Sequence, residues 1–303
     1  MVEPPSAAGG ELRRFILEHL PVRGFWIRLG ESWRELQQHQ HYAPCVETVL
    51  GEAVSASVLL AATLKFQGTL TLQLAGDGLV SLLVAQCTHD FSIRAVARAP
   101  EIVVGAPEFR QLVGDGRLTV TVEADERAAR YQGIVALEGR TLAECIENYF
   151  ANSEQLPTRI ALAADGDHCA GLLLQNLPPT GASSAAPALA PEVWDSLSSS
   201  VADLQASLLR LDSAEQVLQQ VCAEHDCRLF KGSAVRFVCR CDAARVRSVL
   251  RSLGSAELRS ILDEQGTVSV TCEFCGRPYQ FDAGEVEHMI ALGGGFESPQ
   301  SLN

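Results

Sequence analysis

Four cysteines in the last quarter of this 303-residue chain have the residue type and spacing of a metal site. One residue separates Cys239 from Cys241, two separate Cys272 from Cys275, and 30 residues lie between the pairs. Zinc binds four thiolates in a tetrahedron at about 2.3 Å, so the two pairs must meet at one point. The spacing therefore predicts one zinc ion held by all four cysteines.

The two pairs require different backbones. Cys272-x-x-Cys275 followed by Gly276 is typical of a zinc knuckle, in which a glycine lets backbone N–H groups approach the sulfurs. Cys239-x-Cys241 is tighter than the usual spacing, and on an extended segment its two thiols project from the same side. Two thiols this close can also form a disulfide if the metal leaves.

From the spacing alone, two interpretations of the site stay open: an inert zinc ribbon and a redox switch. A unit of about 50 residues is marginally stable without a cross-link or a metal. Zinc contributes about 10–16 kcal/mol to the folding of finger peptides. Oxidation of the thiolates would remove the ligands and the metal together, so we expect such a unit to unfold when it is oxidised.

The segment between the two pairs must fold back on itself to bring them together. Its pattern predicts two helices, Ala243–Leu253 and Ser255–Glu264, and then a strand at Val268–Cys272. We therefore expect a small zinc domain over residues 235–290.

The first part of the chain has the pattern of an α+β domain, expected over residues 11–178. Hydrophobic residues make up 47% of the sequence, which supports a packed interior. Composition and apolar spacing predict helices at Glu11–Leu20, Glu31–Gln38, Val46–Leu64 and Thr141–Asn152. Alternating or continuous apolar runs predict strands at 70–74, 79–85, Phe91–Arg98, Arg117–Glu123, Tyr131–Leu137, Arg159–Ala163 and Gly171–Leu177. Tight turns between the strands indicate an antiparallel sheet with helices packed on it.

Residues 179–234 have the pattern of a linker that contains helices. The segment from Pro178 to Pro191, PPTGASSAAPALAP, is rich in proline and small residues. An apolar stripe then recurs at helical spacing, at Val193, Trp194, Leu197, Val201, Leu204 and Leu208. These helices lack the bulk to form their own core, so we expect them to dock on another part of the chain.

Charge limits the classes of partner. The chain has 24 basic and 37 acidic residues, a formal charge of −13, and residues 237–290 contain 6 basic and 8 acidic ones. This balance argues against nucleic acid as a partner, although a zinc-ribbon nucleic-acid-binding regulator is the alternative function. The sequence MVEPPSAAGG lacks the apolar region of a secretory signal, and the apolar stretch Ala53–Leu64 is too short to span a membrane. We therefore expect a cytoplasmic protein without a membrane partner.

The sequence lacks the motifs of zinc enzymes. Neither H-E-x-x-H nor H-x-E with C-x-x-C occurs, and four thiolates leave no open position on the metal. Cys272-x-x-Cys275 has the spacing of a thiol–disulfide oxidoreductase, but no βαβ pattern surrounds it. No enzymatic activity is predicted.

Two blocks around the cysteines, VRFVCRC at 235–241 and VTCEFCG at 270–276, resemble the 33 kDa chaperonin family of redox-regulated heat-shock holdases. The resemblance continues through the first domain. Its motifs there are VRG at 22–24, TLKF at 63–66, LAGDG at 74–78, RAVAR at 94–98, YQG at 131–133 and SEQLPTR at 153–159. Ala95 departs from the pattern because the family has glycine there, whereas all four cysteine positions are intact.

The resemblance implies a redox-regulated, ATP-independent chaperone, in which residues 179–234 would be a metastable linker with helices and residues 235–290 a redox-switch zinc domain. In the reduced state the four cysteines would bind one zinc ion and the protein would be inactive. Oxidation would pair Cys239 with Cys241 and Cys272 with Cys275, release the zinc and unfold the zinc unit and the linker helices. The oxidised protein would form a homodimer and hold unfolding client proteins. Candidate client-binding residues are those of the linker stripe, namely Trp194, Leu197, Val201, Leu204 and Leu208.

The other six cysteines carry weaker signals. Four are scattered through the first domain and are expected to be buried apolar side chains: Cys45, Cys87, Cys145 and Cys169. Cys222 and Cys227 flank His225 in a C-x₂-H-x-C pattern, which predicts ordinary helix-face and loop residues, with a second redox or metal contact as the alternative. His39 and His41 are expected to lie in a polar loop.

Overall fold

In this computed structural model, the described residues are 9–124, 130–178, 189–211 and 213–293. They fall into two compact units, with the boundary between Val238 and Cys239. The α+β class predicted from the sequence is confirmed.

The first unit is built from two sheets and several helices. Its strands are β1 Gly10–Leu17, β2 Val22–Leu29, β3 Gly68–Gly76, β4 Leu82–Thr88, β5 Ser92–Arg98, β6 Gly116–Ala124, β7 Arg130–Ala136, β8 Thr158–Ala164, β9 Cys169–Asn176, β10 Cys227–Leu229, β11 Ser233–Ala234 and β12 Arg236–Phe237. Its helices are α1 Glu31–Gln37, α2 Pro44–Thr63, α3 Phe109–Val113, α4 Leu142–Tyr149, α5 Pro191–Ala202, α6 Ala206–Leu211 and α7 Ala214–Val221. One π-helical turn, Phe150–Glu154, follows α4.

The strands form two separate sheets. The first has the order β10-β1-β2-β9-β8, with β11 also paired to β1, and the second has the order β12-β5-β4-β3-β6-β7. Pairing is antiparallel throughout except between β12 and β5. The short strands β10 to β12 are close together in the sequence, so one segment of chain borders both sheets.

Helix α2 forms the centre of the larger core. It packs against strands of both sheets, and residues on every side of it are buried. It is long and apolar enough to cross a membrane by composition alone, but 72% of its most apolar part is buried inside the fold. Such a helix is accounted for by the core of the unit, because a helix that is apolar all round must be covered on all sides.

The helix predicted at Glu11–Leu20 is wrong, because most of this segment is β1. Leu12 points into the core around α2, whereas Phe15 and Leu17 point to the opposite face of the sheet. Strand pairing with β2 overrides the helical propensity of its Glu, Leu and Arg residues. Gly24 of β2 lies opposite Phe15, where a Cβ atom would meet the phenyl ring at 2.1 Å.

Helices α5 and α7 bury apolar residues against the outer face of the first sheet. Leu197 and Val201 of α5 are buried in one cluster with Trp26 and Leu172. Trp194 and Leu204 are partly buried against the same cluster. The side chain of Leu208 lies outside the described part of the structure. The apolar stripe of the linker therefore covers the sheet.

The second unit is small and has a core of its own. It contains α8 Ala243–Leu253, α9 Ser255–Gln265, β13 Val268–Thr271, β14 Pro278–Phe281 and α10 Ala283–Gly293. Strands β13 and β14 form an antiparallel hairpin. The described core consists of six buried side chains: Leu250, Leu258, Val268, Phe281, Val286 and Met289.

Candidate metal centre

The first cysteine pair lies in a segment without helix or strand that leads into α8. The Asp242 carboxylate accepts a hydrogen bond from the backbone N–H of Arg245 at 2.8 Å and so caps the helix. The Arg245 guanidinium also donates a hydrogen bond to the Arg240 carbonyl at 2.8 Å. These two bonds hold the residues on either side of Cys241 in place.

The second pair lies in the turn between β13 and β14. The backbone N–H of Gly276 donates to the carbonyl of Cys272 at 2.8 Å, and the N–H of Cys272 donates to the carbonyl of Arg277 at 2.9 Å. Gly276 has a φ of 65°, in the left-handed region that glycine adopts without strain. In this structure, the described hydrogen bond of its N–H goes to a carbonyl rather than to a sulfur.

The four sulfurs converge as a single group. The Sγ atoms of Cys239 and Cys272 are 3.7 Å apart, and those of Cys241 and Cys275 are 3.4 Å apart. All four lie within 4.8 Å of one another. Ligands at 2.3 Å in a tetrahedron are about 3.8 Å from each other. The donor set and its size therefore fit a zinc ion.

One tyrosine adds an interaction that the sequence pattern had not identified. The Tyr279 hydroxyl donates a hydrogen bond to Cys241 Sγ at 3.1 Å. Burial alone would raise the pKa of Cys241, but this bond and the neighbouring thiols outweigh it and lower the pKa to about 7. Cys241 is therefore more readily converted than an ordinary thiol to the thiolate that binds metal and reacts with oxidants.

The pKa values of two other thiols in the group are raised rather than lowered. Burial raises the pKa of Cys239, and burial together with the adjacent sulfurs raises the pKa of Cys275 to about 12. Four sulfurs this close cannot all be thiolates without a positive charge among them. A divalent cation at the centre would supply that charge and favour the thiolates.

The helices around the centre are held by ion pairs and caps. Arg247 of α8 contacts the Glu285 carboxylate of α10 at 2.9 Å and lies over the ring of Phe281, 5.3 Å from its centroid. The Asp282 carboxylate accepts a hydrogen bond from the N–H of Glu285 at 2.9 Å. These contacts fix the hairpin that presents Cys272 and Cys275.

The remaining cysteines do not join this group within the described residues. Cys87, Cys145 and Cys169 are buried, as expected of apolar core residues, and burial raises the pKa of Cys169 to about 12. Cys45 is partly buried against the core. Cys222 and Cys227 lie at the linker cluster on the outer face of the first sheet. His39 and His41 are exposed in the connection between α1 and α2.

Comparison with known proteins places this arrangement in context. A family model described as Hsp33 protein matches residues 10–282. The chain is 40% identical over 292 residues to a 33 kDa chaperonin of Pseudomonas paraeruginosa, which covers 95% of this chain and 97% of that relative. It is 39% identical over 275 residues to a 33 kDa chaperonin of Shewanella woodyi, covering 91% and 93%. A solved 33 kDa chaperonin from Thermotoga maritima has the same fold, with a TM-score of 0.79 at 21% identity over 94% of this chain and 98% of that one.

Proposed function

Because this chain belongs to the Hsp33 family, we propose that it is a redox-regulated, ATP-independent chaperone that holds unfolding proteins. In the reduced state, Cys239, Cys241, Cys272 and Cys275 would bind one zinc ion, and the protein would be inactive. Oxidation would release the zinc and activate the protein, which would then bind its clients as a homodimer. The relatives carry the name chaperonin, which fits a role in binding rather than in catalysis.

The convergence of the four sulfurs within 4.8 Å is the observation that carries this proposal. Four thiolates fill the coordination sphere of zinc, which makes the site structural rather than catalytic. They are also groups that an oxidant can convert to disulfides. One set of residues can thus hold the fold together and respond to oxidation. We expect this to operate in the cytoplasm, where standing disulfides are rare.

The proposed oxidation forms two disulfides, Cys239–Cys241 and Cys272–Cys275. Each pair gives up two electrons to the oxidant, and the sulfurs then no longer act as thiolate ligands. This pairing follows the family, since all six sulfur–sulfur separations are within 4.8 Å and do not select one pairing. The lowered pKa of Cys241 favours it as the first sulfur to react.

Release of the linker helices would uncover an apolar surface. Leu197 and Val201 bury the outer face of the first sheet, which includes Trp26 and Leu172. If α5 leaves, both partners of this contact become exposed to water, and contiguous apolar surface of this kind binds other proteins. After the linker, the chain continues through β12 into the second unit. The chain itself therefore connects the loss of zinc to the release of the linker helices.

An aggregation assay with zinc followed in parallel tests the proposal. We expect reduced, zinc-loaded protein to leave aggregation of a chemically denatured client unchanged and hypochlorite-treated protein to suppress it, with one zinc released per chain. Cys45→Ser is the control variant, because Cys45 is a cysteine outside the four-sulfur group. It should behave as the unmodified protein does in both the reduced and the oxidised state. Equal suppression by the reduced and oxidised proteins would refute the redox switch.

A linker variant tests the surface separately from the metal. Leu197→Ala removes a side chain that is 2% exposed and should cost about 2–5 kcal/mol of local stability. We expect this variant to suppress aggregation partly even when reduced and zinc-loaded. Ser196→Ala, on the exposed side of the same helix, is the control and should behave as the unchanged chain does. No difference between the two variants would mean that α5 does not cover the client surface.

A further inference from the structure

A tight turn joins the last helix of the linker to the first sheet. Helix α7 ends at Val221, Cys222 is its C-cap, and Cys227 is the first residue of β10. The His225 N–H donates to the Cys222 carbonyl at 2.9 Å, and the Glu18 N–H donates to the Asp226 carbonyl at 2.8 Å. The turn is therefore closed on itself and fastened to the chain just beyond β1.

The two cysteines at the ends of this turn share one apolar cluster. Cys222 is 3% exposed within the cluster, and Cys227 is partly buried against it. The interaction between the two thiols is the main reason that the pKa of Cys222 is raised and that of Cys227 is lowered. Cys227 is thus both the more exposed and the more acidic of the two.

We infer that Cys222 and Cys227 form a disulfide when the chain meets a peroxide, at a second redox site separate from the four-sulfur group. Both side chains pack against one apolar cluster, and a six-residue turn closed by a backbone hydrogen bond joins the two residues, so the fold keeps the two thiols near each other. The site lies in the first unit and does not depend on zinc or on chaperone activity. Two sulfurs without a third ligand among the described residues do not form a metal site.

The only co-reactant that this disulfide formation needs is the peroxide. The Cys227 thiolate attacks one peroxide oxygen, the O–O bond breaks, and the departing hydroxide takes up a proton to become water. The Cys222 thiol then loses its proton and attacks the Cys227 sulfur, so that an S–S bond forms, the S–O bond breaks and a second water leaves. Two thiols lose two electrons in total, and one peroxide becomes two waters.

This disulfide would oppose loss of the end of α7. It closes a loop of six residues and ties the helix end to β10, which pairs with β1 through residues such as Leu17. A short cross-link reduces the freedom of the unfolded segment and so favours the folded one. Val217, Leu218 and Val221 of α7 are buried against the sheet and would be retained there.

Peptide mapping of the unmodified full-length protein tests the inference directly. The zinc-loaded protein is treated with hydrogen peroxide, free thiols are alkylated, and the peptides are identified by mass spectrometry. We expect a disulfide between Cys222 and Cys227, which lowers the mass of the peptide material that carries them by about 2 Da. Treatment with a reductant should restore the original mass. Hydrogen exchange of the α7 amides should be at least about tenfold slower in the peroxide-treated unmodified protein than in peroxide-treated Cys227→Ser.

Variants make the assignment specific. Cys227→Ser should abolish the linked peptide and the slower exchange of α7 while leaving zinc release from the four-sulfur group unchanged. Cys222→Ala provides a second variant without the buried thiol, with the same expected outcome. Recovery of both residues as alkylated free thiols after oxidation, or of either one joined to another cysteine, would overturn the inference. Zinc release is measured separately. If oxidation released no zinc, that result would count against the proposed function and not against this inference.

Discussion

The two units of the molecule solve the problem of stability in different ways. The first has a long buried helix, α2, packed against two sheets, and its core includes large side chains that are fully buried, such as Trp33 and Leu72. The second has six buried side chains in its described core and places four sulfurs beside them. A unit with so few buried groups is marginal by itself, and a metal can supply what the core lacks. The difference teaches that one chain can contain a permanent fold and a conditional one.

Removing the metal should produce the largest difference between the two units. A zinc chelator, or Cys275→Ser, takes away a contribution of about 10–16 kcal/mol in comparable zinc peptides, far more than a small core provides. We expect the β13 and β14 amides to lose protection from hydrogen exchange while those of β2 and β9 keep theirs. Cys45→Ser should retain both protection and zinc. Continued protection of the β13–β14 hairpin without metal would show that its core is sufficient.

One core substitution in each unit should show how far each unit depends on its core and how far on zinc. Phe281→Ala in the second unit and Leu72→Ala in the first each remove a fully buried side chain and should cost about 3–5 and 2–5 kcal/mol respectively. With zinc present, we expect both units to remain folded. Without zinc, denaturant titration followed by circular dichroism should show no folding transition for the second unit of Phe281→Ala. If that unit still unfolds cooperatively, neither zinc nor the Phe281 side chain is needed for it to fold.

The Tyr279→Phe substitution should have a smaller effect that depends on pH. Burial raises the pKa of Cys241, whereas the Tyr279 hydrogen bond and the nearby thiols bring it down to about 7, below the ordinary value of 9.0. A group with a lowered folded pKa stabilises the fold fully above its unfolded pKa and loses that contribution as the pH falls through the folded pKa. In Tyr279→Phe the folded pKa is higher, so zinc should be released at a higher pH during acid titration. Tyr131→Phe, in the first unit, should leave the release curve unchanged.

The smallest effect is expected from the ion pair at the side of the second unit. Arg247 and Glu285 are 41% and 42% exposed, and pairs this exposed contribute about 1 kcal/mol or less. Arg247→Ala should therefore lower the thermal midpoint of the zinc-loaded unit slightly and leave zinc affinity unchanged. A loss as large as that of Phe281→Ala would mean that the contact of Arg247 with the Phe281 ring, rather than the ion pair, is the main interaction.

The convergence of the four cysteines was predictable because it follows from their spacing in the sequence and from the chemistry of sulfur as a metal ligand. Helix α2 and most strands of the first unit were predictable for a similar reason, since their apolar residues recur with a clear period. The hairpin of β1 and β2 was not, because the propensity of β1 is helical and its pairing partner decides the outcome. The contact of Tyr279 with Cys241 depends on the pairing of β14 with β13, which a sequence does not display.

The strand pairing of the segment from Cys227 to Phe237 determines where the first unit would open if the chain were pulled. It pairs with β1 at the border of one sheet and with β5 at the border of the other, and the chain then enters the second unit after Val238. Pulling on this segment from its carboxyl end would first break the two-residue pairing of β12 with β5. The exposed edge would then present unsatisfied amide and carbonyl groups, a template on which any extended polypeptide can add itself as a further strand.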